Sequence, residues 1–187
     1  VQTCALPIFD GLSKAFAATG VRVGWTFGPK RVIDKMKSVL GHIGAWAPKA
    51  EQVAVANYLK NNDDIDTFIT ALKAKLYHSL EQLFIGFNAL KKEGYPVYAI
   101  QPQAAMYLTV NINLKGYVLP NGELIEKTSQ ITSFLLNQAS FAVVPFSAFG
   151  TENDASWYRI SVGNCDAVEI PAMISKLSTA FAKLTKK

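Results

Sequence analysis

The feature that most constrains this chain is an apolar stripe of unusual length. Ile65, Phe68, Ile69, Leu72, Leu76, Leu80, Leu83, Phe84, Phe87 and Leu90 recur at three- and four-residue steps up to Gly94, the spacing that lines one side of an α-helix. One amphipathic helix of about 28 residues is predicted, more than twice the ordinary mean of about 11 to 12. Such a helix connects lobes. Asn61-Asn62-Asp63-Asp64 supplies the break and the cap before it, and His78 falls within it, where packing or a helix surface accounts for it.

The texture differs on the two sides of that helix. Upstream, Val21 to Phe27 (VRVGWTF) alternates as a strand closed by Gly28-Pro29. Pro29 suits the first turn of a helix striped by Val32, Ile33, Met36, Val39 and Leu40 and ended by Gly41. Lys49 to Leu59 forms a further helix, in which Ala50, Ala54 and Ala56 permit close packing. Downstream, residues 95–100 and 105–112 read as two strands around Gln101-Pro102-Gln103, a hairpin-like pair that opens an antiparallel sheet. A loop over 116–122, a helix over 123–138 and strands over 141–144 and 157–162 follow. The final helix is predicted from Asp166, with Glu169 completing a capping box and Val168, Ile170, Ile174, Leu177, Phe181 and Leu184 buried. Helices on one face of a small sheet give an α/β fold with a two-layer lobe.

Composition removes several function classes. Half of the 187 residues are hydrophobic and 18% are charged, which argues against a disordered chain. No stretch approaches the roughly 20 uninterrupted apolar residues of a membrane span. The net charge of +5 is not gathered on one face, its local excess being Lys183, Lys186 and Lys187, so neither nucleic acid nor membrane is an expected partner. Cys4 and Cys165 stand at opposite ends, and His42 and His78 lack a neighbouring cysteine or acidic cluster. No disulfide framework and no metal site are expected, and a reducing cytoplasm is the default.

The opening residues Val1 to Ile8 read VQTCALPI, with neither a secretory n-region nor an adequate apolar stretch. Their codons can be written to match a common sequencing-adapter oligonucleotide. The native sequence is therefore expected to begin near Phe9, on a fragment of a longer protein.

The sharpest local signal is Gly11-Leu12-Ser13-Lys14-Ala15-Phe16-Ala17-Ala18-Thr19-Gly20-Val21-Arg22-Val23-Gly24-Trp25. It resembles the cofactor-lysine motif of fold-type I pyridoxal-phosphate enzymes, especially class I/II aminotransferases. That pattern is Ser-Lys, an aromatic, a small-residue stretch, Gly-x-Arg-x-Gly and an aromatic, and each element stands in place. The resemblance implies pyridoxal 5'-phosphate as cofactor. An amine condenses reversibly with the cofactor's aldehyde, and once exchanged for a substrate amine it is free to act as a base; Lys14 is the candidate for both roles. A guanidinium fork matches phosphate oxygens in charge and geometry, which points to Arg22, while the resemblance implies that the Ser13 hydroxyl adds a hydrogen bond to the same phosphate. Many relatives carry a serine where this chain has Gly11, so one phosphate contact is expected to be absent or supplied elsewhere.

A second resemblance lies downstream. Val143-Val144-Pro145-Phe146-Ser147-Ala148-Phe149-Gly150, followed by Trp157-Tyr158-Arg159-Ile160-Ser161, looks like the aminotransferase VVPGSAFG segment and the strand whose arginine clamps the substrate α-carboxylate. Arg159 is the candidate clamp, and Phe146 replaces a usual glycine, so the turn there is expected to differ. Gln101 to Tyr107 resembles the family's PxGAFY stretch, with Ala104 for the usual glycine. The loop 41–48 corresponds by position to the segment that reaches the neighbouring subunit's site in these dimers, with His42 or Trp46 as contacts.

The resemblance implies the end of the large domain of the pyridoxal-phosphate transferase (fold type I) architecture plus a small two-layer α/β domain. Residues 1–8 are taken as adapter-derived, 9–64 as the end of the large domain, 65–93 as the connecting helix and 94–187 as the small domain. The implied activity is amino-group exchange between an amino acid and a 2-oxo acid, of aspartate or aromatic type, in a homodimer; the chain alone is expected to be inactive. The alternatives are another reaction on the same scaffold (decarboxylation, elimination or acyl transfer), or the aminotransferase-like lobe of a transcription regulator. The family residues that face the pyridine nitrogen or stack on the cofactor lie mostly upstream of this lysine, and no residue of this chain is assigned those roles.

Overall fold

A computed structural model describes residues 7–151 and 155–186; most of the suspected adapter segment lies outside them. The chain divides into two compact units between Leu72 and Lys73.

The first unit opens with β1 (Ile8–Gly11), the one-turn helix α1 (Leu12–Ala15), a 3-10 turn (Thr19–Val21) and β2 (Gly24–Phe27). β1 and β2 pair antiparallel from Ile8↔Phe27 to Gly11↔Gly24. The predicted strand over 21–27 is shortened because Arg22 takes a left-handed φ of 58°, which no strand accommodates. Helices α2 (Lys30–Ile43) and α3 (Lys49–Tyr58) follow. Gly41 does not end α2; Gly44 does, at φ 67°, with its amide donating to Leu40 O at 3.0 Å, a left-handed C-terminal cap. Leu12, Val23 and Val55 are buried together, with Phe16, Val21 and Trp25 packed against them.

The long stripe forms one helix, α4 (Asn62–Lys92), 31 residues long. It runs from the first unit into the second. Its buried residues, Ser79, Leu80, Leu83, Gly86, Phe87 and Leu90, all lie in its second half.

The second unit holds a four-stranded antiparallel sheet in the order β3 (Val97–Ala99), β4 (Tyr107–Ile112), β7 (Trp157–Ser161), β6 (Val144–Pro145). A two-stranded sheet joins β5 (Tyr117–Val118) to β8 (Thr185–Lys186). Helices α5 (Thr128–Ala139) and α6 (Ile170–Phe181) share one core with the second half of α4 and one sheet face. Leu108, Val110, Ile112, Tyr158 and Ile160 point into that core, and alternation leaves Tyr107, Thr109, Asn111, Trp157 and Arg159 on the opposite face.

Four local expectations are corrected. Ala105 has φ 62°, so β4 begins only at Tyr107. The helix predicted from Glu123 begins at Thr128, because Leu124 bridges to Val118 and the Gln130 side chain accepts from the amides of Glu126 and Lys127. The strand over 141–144 shifts to Val144–Pro145, with Phe141 and Val143 turned into the core. At the last helix, Asp166 caps a 3-10 turn, accepting from the Val168 amide at 3.4 Å, and α6 starts only at Ile170. Val168, predicted buried, is 81% exposed for that reason.

Gly86 is where α4 meets α6. A Cβ there would overlap Ile174 Cγ1 and lie 2.6 Å from its Cδ1. Gly86→Ala is expected to lower stability by about 1–3 kcal/mol through overpacking, despite alanine's better helix propensity. A denaturant midpoint checks this, and Ile174→Ala combined with it should recover part of the loss if the clash is the cause.

Candidate active site

Ser13, Lys14 and Arg22 all sit on the loop that the Gly11↔Gly24 pair closes. The strands are pressed together at that pair. A Cβ on Gly24 would lie 2.9 Å from Asp10 O, and one on Gly11 would lie 3.0 Å from the Gly24 Cα. A serine at position 11 would need the facing backbone to give by a few tenths of an ångström.

Lys14 is exposed on α1, flanked by the buried Leu12. Ser13 is half-buried. Among the described residues neither the Lys14 amine nor the Ser13 hydroxyl has a hydrogen-bond or ion-pair partner. The link between the two halves of the loop is Thr19, which the sequence pattern did not single out. Its hydroxyl donates to Ser13 O at 3.2 Å, and its own carbonyl accepts from Arg22 Nη1 at 2.9 Å. Ala17 (φ 51°) and Arg22 (φ 58°) are both left-handed, and such strain persists only where the surroundings hold it. Here Leu12 N donates to Val23 O at 3.3 Å and Ala18 N to Leu12 O at 3.1 Å, so buried residues on both sides fix the loop ends.

The donor set fits an anionic aldehyde cofactor. Among the described residues only one of the Arg22 guanidinium's five N–H donors is used, which leaves donors for phosphate oxygens, on the loop that also carries the Ser13 hydroxyl and the Lys14 amine. Arg22 also lines a cleft of about 840 Å³ walled by Trp25, Phe27, Leu40, Trp46 and Leu59; Lys14 and Ser13 are not part of its lining. Trp46 is 56% exposed there.

Arg159 belongs to the second unit, on the sheet face away from the core, opposite Thr109 of β4 and Val144 of β6. Its guanidinium carbon lies 4.4 Å from the Tyr107 ring centroid and 4.5 Å from that of Phe149. Among the described residues its buried Nε has no hydrogen-bond partner and no carboxylate pairs with it. A cation held against two rings with no described counter-charge is the arrangement an anionic ligand would complete. Phe146 fits its 3-10 turn without a left-handed φ and meets Phe149 edge-on at 6.1 Å, so no glycine is needed there. Tyr107, read from sequence only as part of a fold signature, touches the candidate arginine.

Other reactive groups are held quiet. Burial, then the carboxylates of Glu169 and Asp166, push the Cys165 thiol up, keeping it protonated. Burial lifts the Tyr158 hydroxyl well above the ordinary range, with nearby Thr132 pulling slightly the other way. Among the described residues no three His, Cys, Asp or Glu side chains gather as metal ligands, and no helix is long and apolar enough to cross a membrane.

Comparison with known proteins bears on the family and the fold. The family model for aminotransferase class I and II matches residues 3–177. The aspartate aminotransferase of Rhizobium meliloti (strain 1021) is 28% identical over 177 residues, covering 94% of this chain and 40% of the relative. A probable aspartate/prephenate aminotransferase of Rhizobium leguminosarum bv. phaseoli is 33% identical over 143 residues, covering 75% of this chain and 34% of the relative. This chain thus spans about two fifths or less of the length of these relatives. The crystal structure of the Rhizobium meliloti aspartate aminotransferase superposes with a TM-score of 0.79 at 25% identity, over 96% of this chain and 42% of that one. An aromatic aminotransferase from Pyrococcus horikoshii OT3 shares the fold, with a TM-score of 0.77 at 20% identity, over 94% of this chain and 43% of that one. Two motifs on separate units, a matching partial fold and a family model spanning nearly the whole sequence place this chain in the aminotransferase class I and II family.

Proposed function

We propose that this chain is part of a pyridoxal-phosphate-dependent aminotransferase that moves an amino group between an amino acid and a 2-oxo acid, of aspartate or aromatic type. Bound cofactor supplies an aldehyde that takes up the amino group and a ring system that stabilises negative charge at the neighbouring carbon. The chain's own residues would do the rest. Lys14 would hold the cofactor by its aldehyde, and the Lys14 amine, once a substrate amine takes its place, would take the proton from the amino acid α-carbon. Arg22 and the Ser13 hydroxyl hold the phosphate. Arg159 grips the α-carboxylate and so orients the bond to the reacting proton. The observation that carries this reading is the loop closed at Gly11 and Gly24, which carries the Lys14 amine and the Ser13 hydroxyl without partners among the described residues and ties the Arg22 guanidinium to Thr19 O through Nη1 on a strained turn. The rest of the reading is a homodimer in a reducing cytoplasm, supported by the family resemblance and the two distant cysteines.

The test is to incubate the chain with pyridoxal phosphate, reduce with borohydride and map the label by peptide mass. Lys14 should carry most of it. Arg22→Leu should weaken that labelling about tenfold or more, from the loss of charge-assisted bonds of about 1.5–3 kcal/mol. Labelling scattered over surface lysines, unchanged by Arg22→Leu, would refute the cofactor role. In the protein's full-length form, oxo-acid release from aspartate compared with phenylalanine separates the two substrate types.

A further inference from the structure

We infer that Tyr107 and Phe149 are positioning residues for Arg159, presenting its guanidinium so that a carboxylate is gripped end-on through the two Nη groups. The inference rests on the carboxylate role proposed above and adds who holds the arginine and by which edge it binds.

Sheet register explains the first contact. Thr109 stands directly opposite Arg159 and Tyr107 opposite Ser161, so Tyr107 is the diagonal neighbour of Arg159 on the same face, within reach of a long side chain. Phe149 comes from the 3-10 turn after β6 and is braced by Phe146, 6.1 Å away at 83°. It is 52% exposed, an unusual cost for a phenylalanine unless its face is used. Both rings offer their negative faces to the guanidinium, at 4.4 Å and 4.5 Å.

The remaining choice is which N–H edge meets a ligand. An arginine presents either the edge containing Nε or the pair of Nη groups. Nε is buried and has no partner among the described residues, so a carboxylate cannot reach it without displacing the packing around it. The Nη pair is left. The rings also take over part of the cation's solvation, so a carboxylate that arrives meets a less hydrated partner and a stronger bond. Lysine could not substitute, because it lacks both the flat faces that the rings cover and the fork.

The test uses the whole chain, labelled with 15N, and succinate as probe, reading the Arg159 Nε–Hε resonance and the fitted dissociation constant. Intact chain should show a slowly exchanging Hε and a saturable shift. Tyr107→Leu and Phe149→Leu should each speed that exchange and weaken binding about threefold to tenfold, in line with one cation–π contact. Tyr107→Phe, which keeps the ring, should stay within about twofold. If Tyr107→Leu disturbs the backbone spectrum, Phe149→Leu decides, since it lies on an exposed turn. Saturable binding at Arg159 that both leucine variants leave unchanged overturns the positioning role while the carboxylate role stands. No succinate response at Arg159 in the intact chain defeats the carboxylate role and this inference with it.

Discussion

Replacing Lys14 with alanine should lower the proposed amino-group exchange by at least about a thousandfold, because one residue carries both the covalent attachment and the proton transfer, and a positioned acid–base group alone is worth about 10²–10⁴. Stability should hardly change, within about 0.5 kcal/mol, since the side chain is exposed and unpartnered. Single-turnover assays of the full-length protein with aspartate, alongside thermal melts of this chain, check both halves. A variant that keeps a tenth of the activity would place the chemistry on another group. Lys14→Arg should do no better than alanine, since a guanidinium keeps the charge and does not condense with an aldehyde.

Replacing Arg159 with leucine should reduce kcat/KM about a hundredfold or more, from two charge-assisted hydrogen bonds to carboxylate worth about 1.5–3 kcal/mol each. Stability should not fall with it. The guanidinium makes no hydrogen bond or ion pair with described residues, and its buried Nε is unsatisfied; taking away an unpaired buried donor removes a penalty. Leucine still packs against Tyr107 and Phe149. Activity lost together with several kcal/mol of stability, in parallel steady-state and denaturant measurements, would make Arg159 a structural residue. Arg159→Lys should raise KM more than it lowers kcat, because charge survives and the two-pronged grip does not.

Both predictions concern residues named from family resemblances before any coordinates: Lys14 from a motif with Arg22 eight positions on, between glycines at 20 and 24, and Arg159 from the strand after Val143 to Gly150. The signal for α4 was equally local, since a consistent period from Ile65 to Leu90 outweighs any single neighbour. Errors gathered where backbone pairing or a left-handed residue overrides local propensity. The helix expected from Glu123 lost its first turn to a bridge between Leu124 and Val118, and β5 needed β8, almost seventy residues on, before it could exist. Propensity favours helix for Glu123 to Lys127, and pairing overrode it.

The site shows the same division. Sequence alone determined the residue types, an amine, a hydroxyl and two guanidinium groups in patterns that suit an aldehyde, a phosphate and a carboxylate. Only the tertiary structure decided their surroundings: that Thr19 ties the lysine's turn to Arg22, that the strands close tightly where Gly11 faces Gly24, and that Tyr107 and Phe149 lie against Arg159. The reason is that chemical identity is carried by single residues, whereas desolvation, strain and ring contacts depend on which strands pair and in what register.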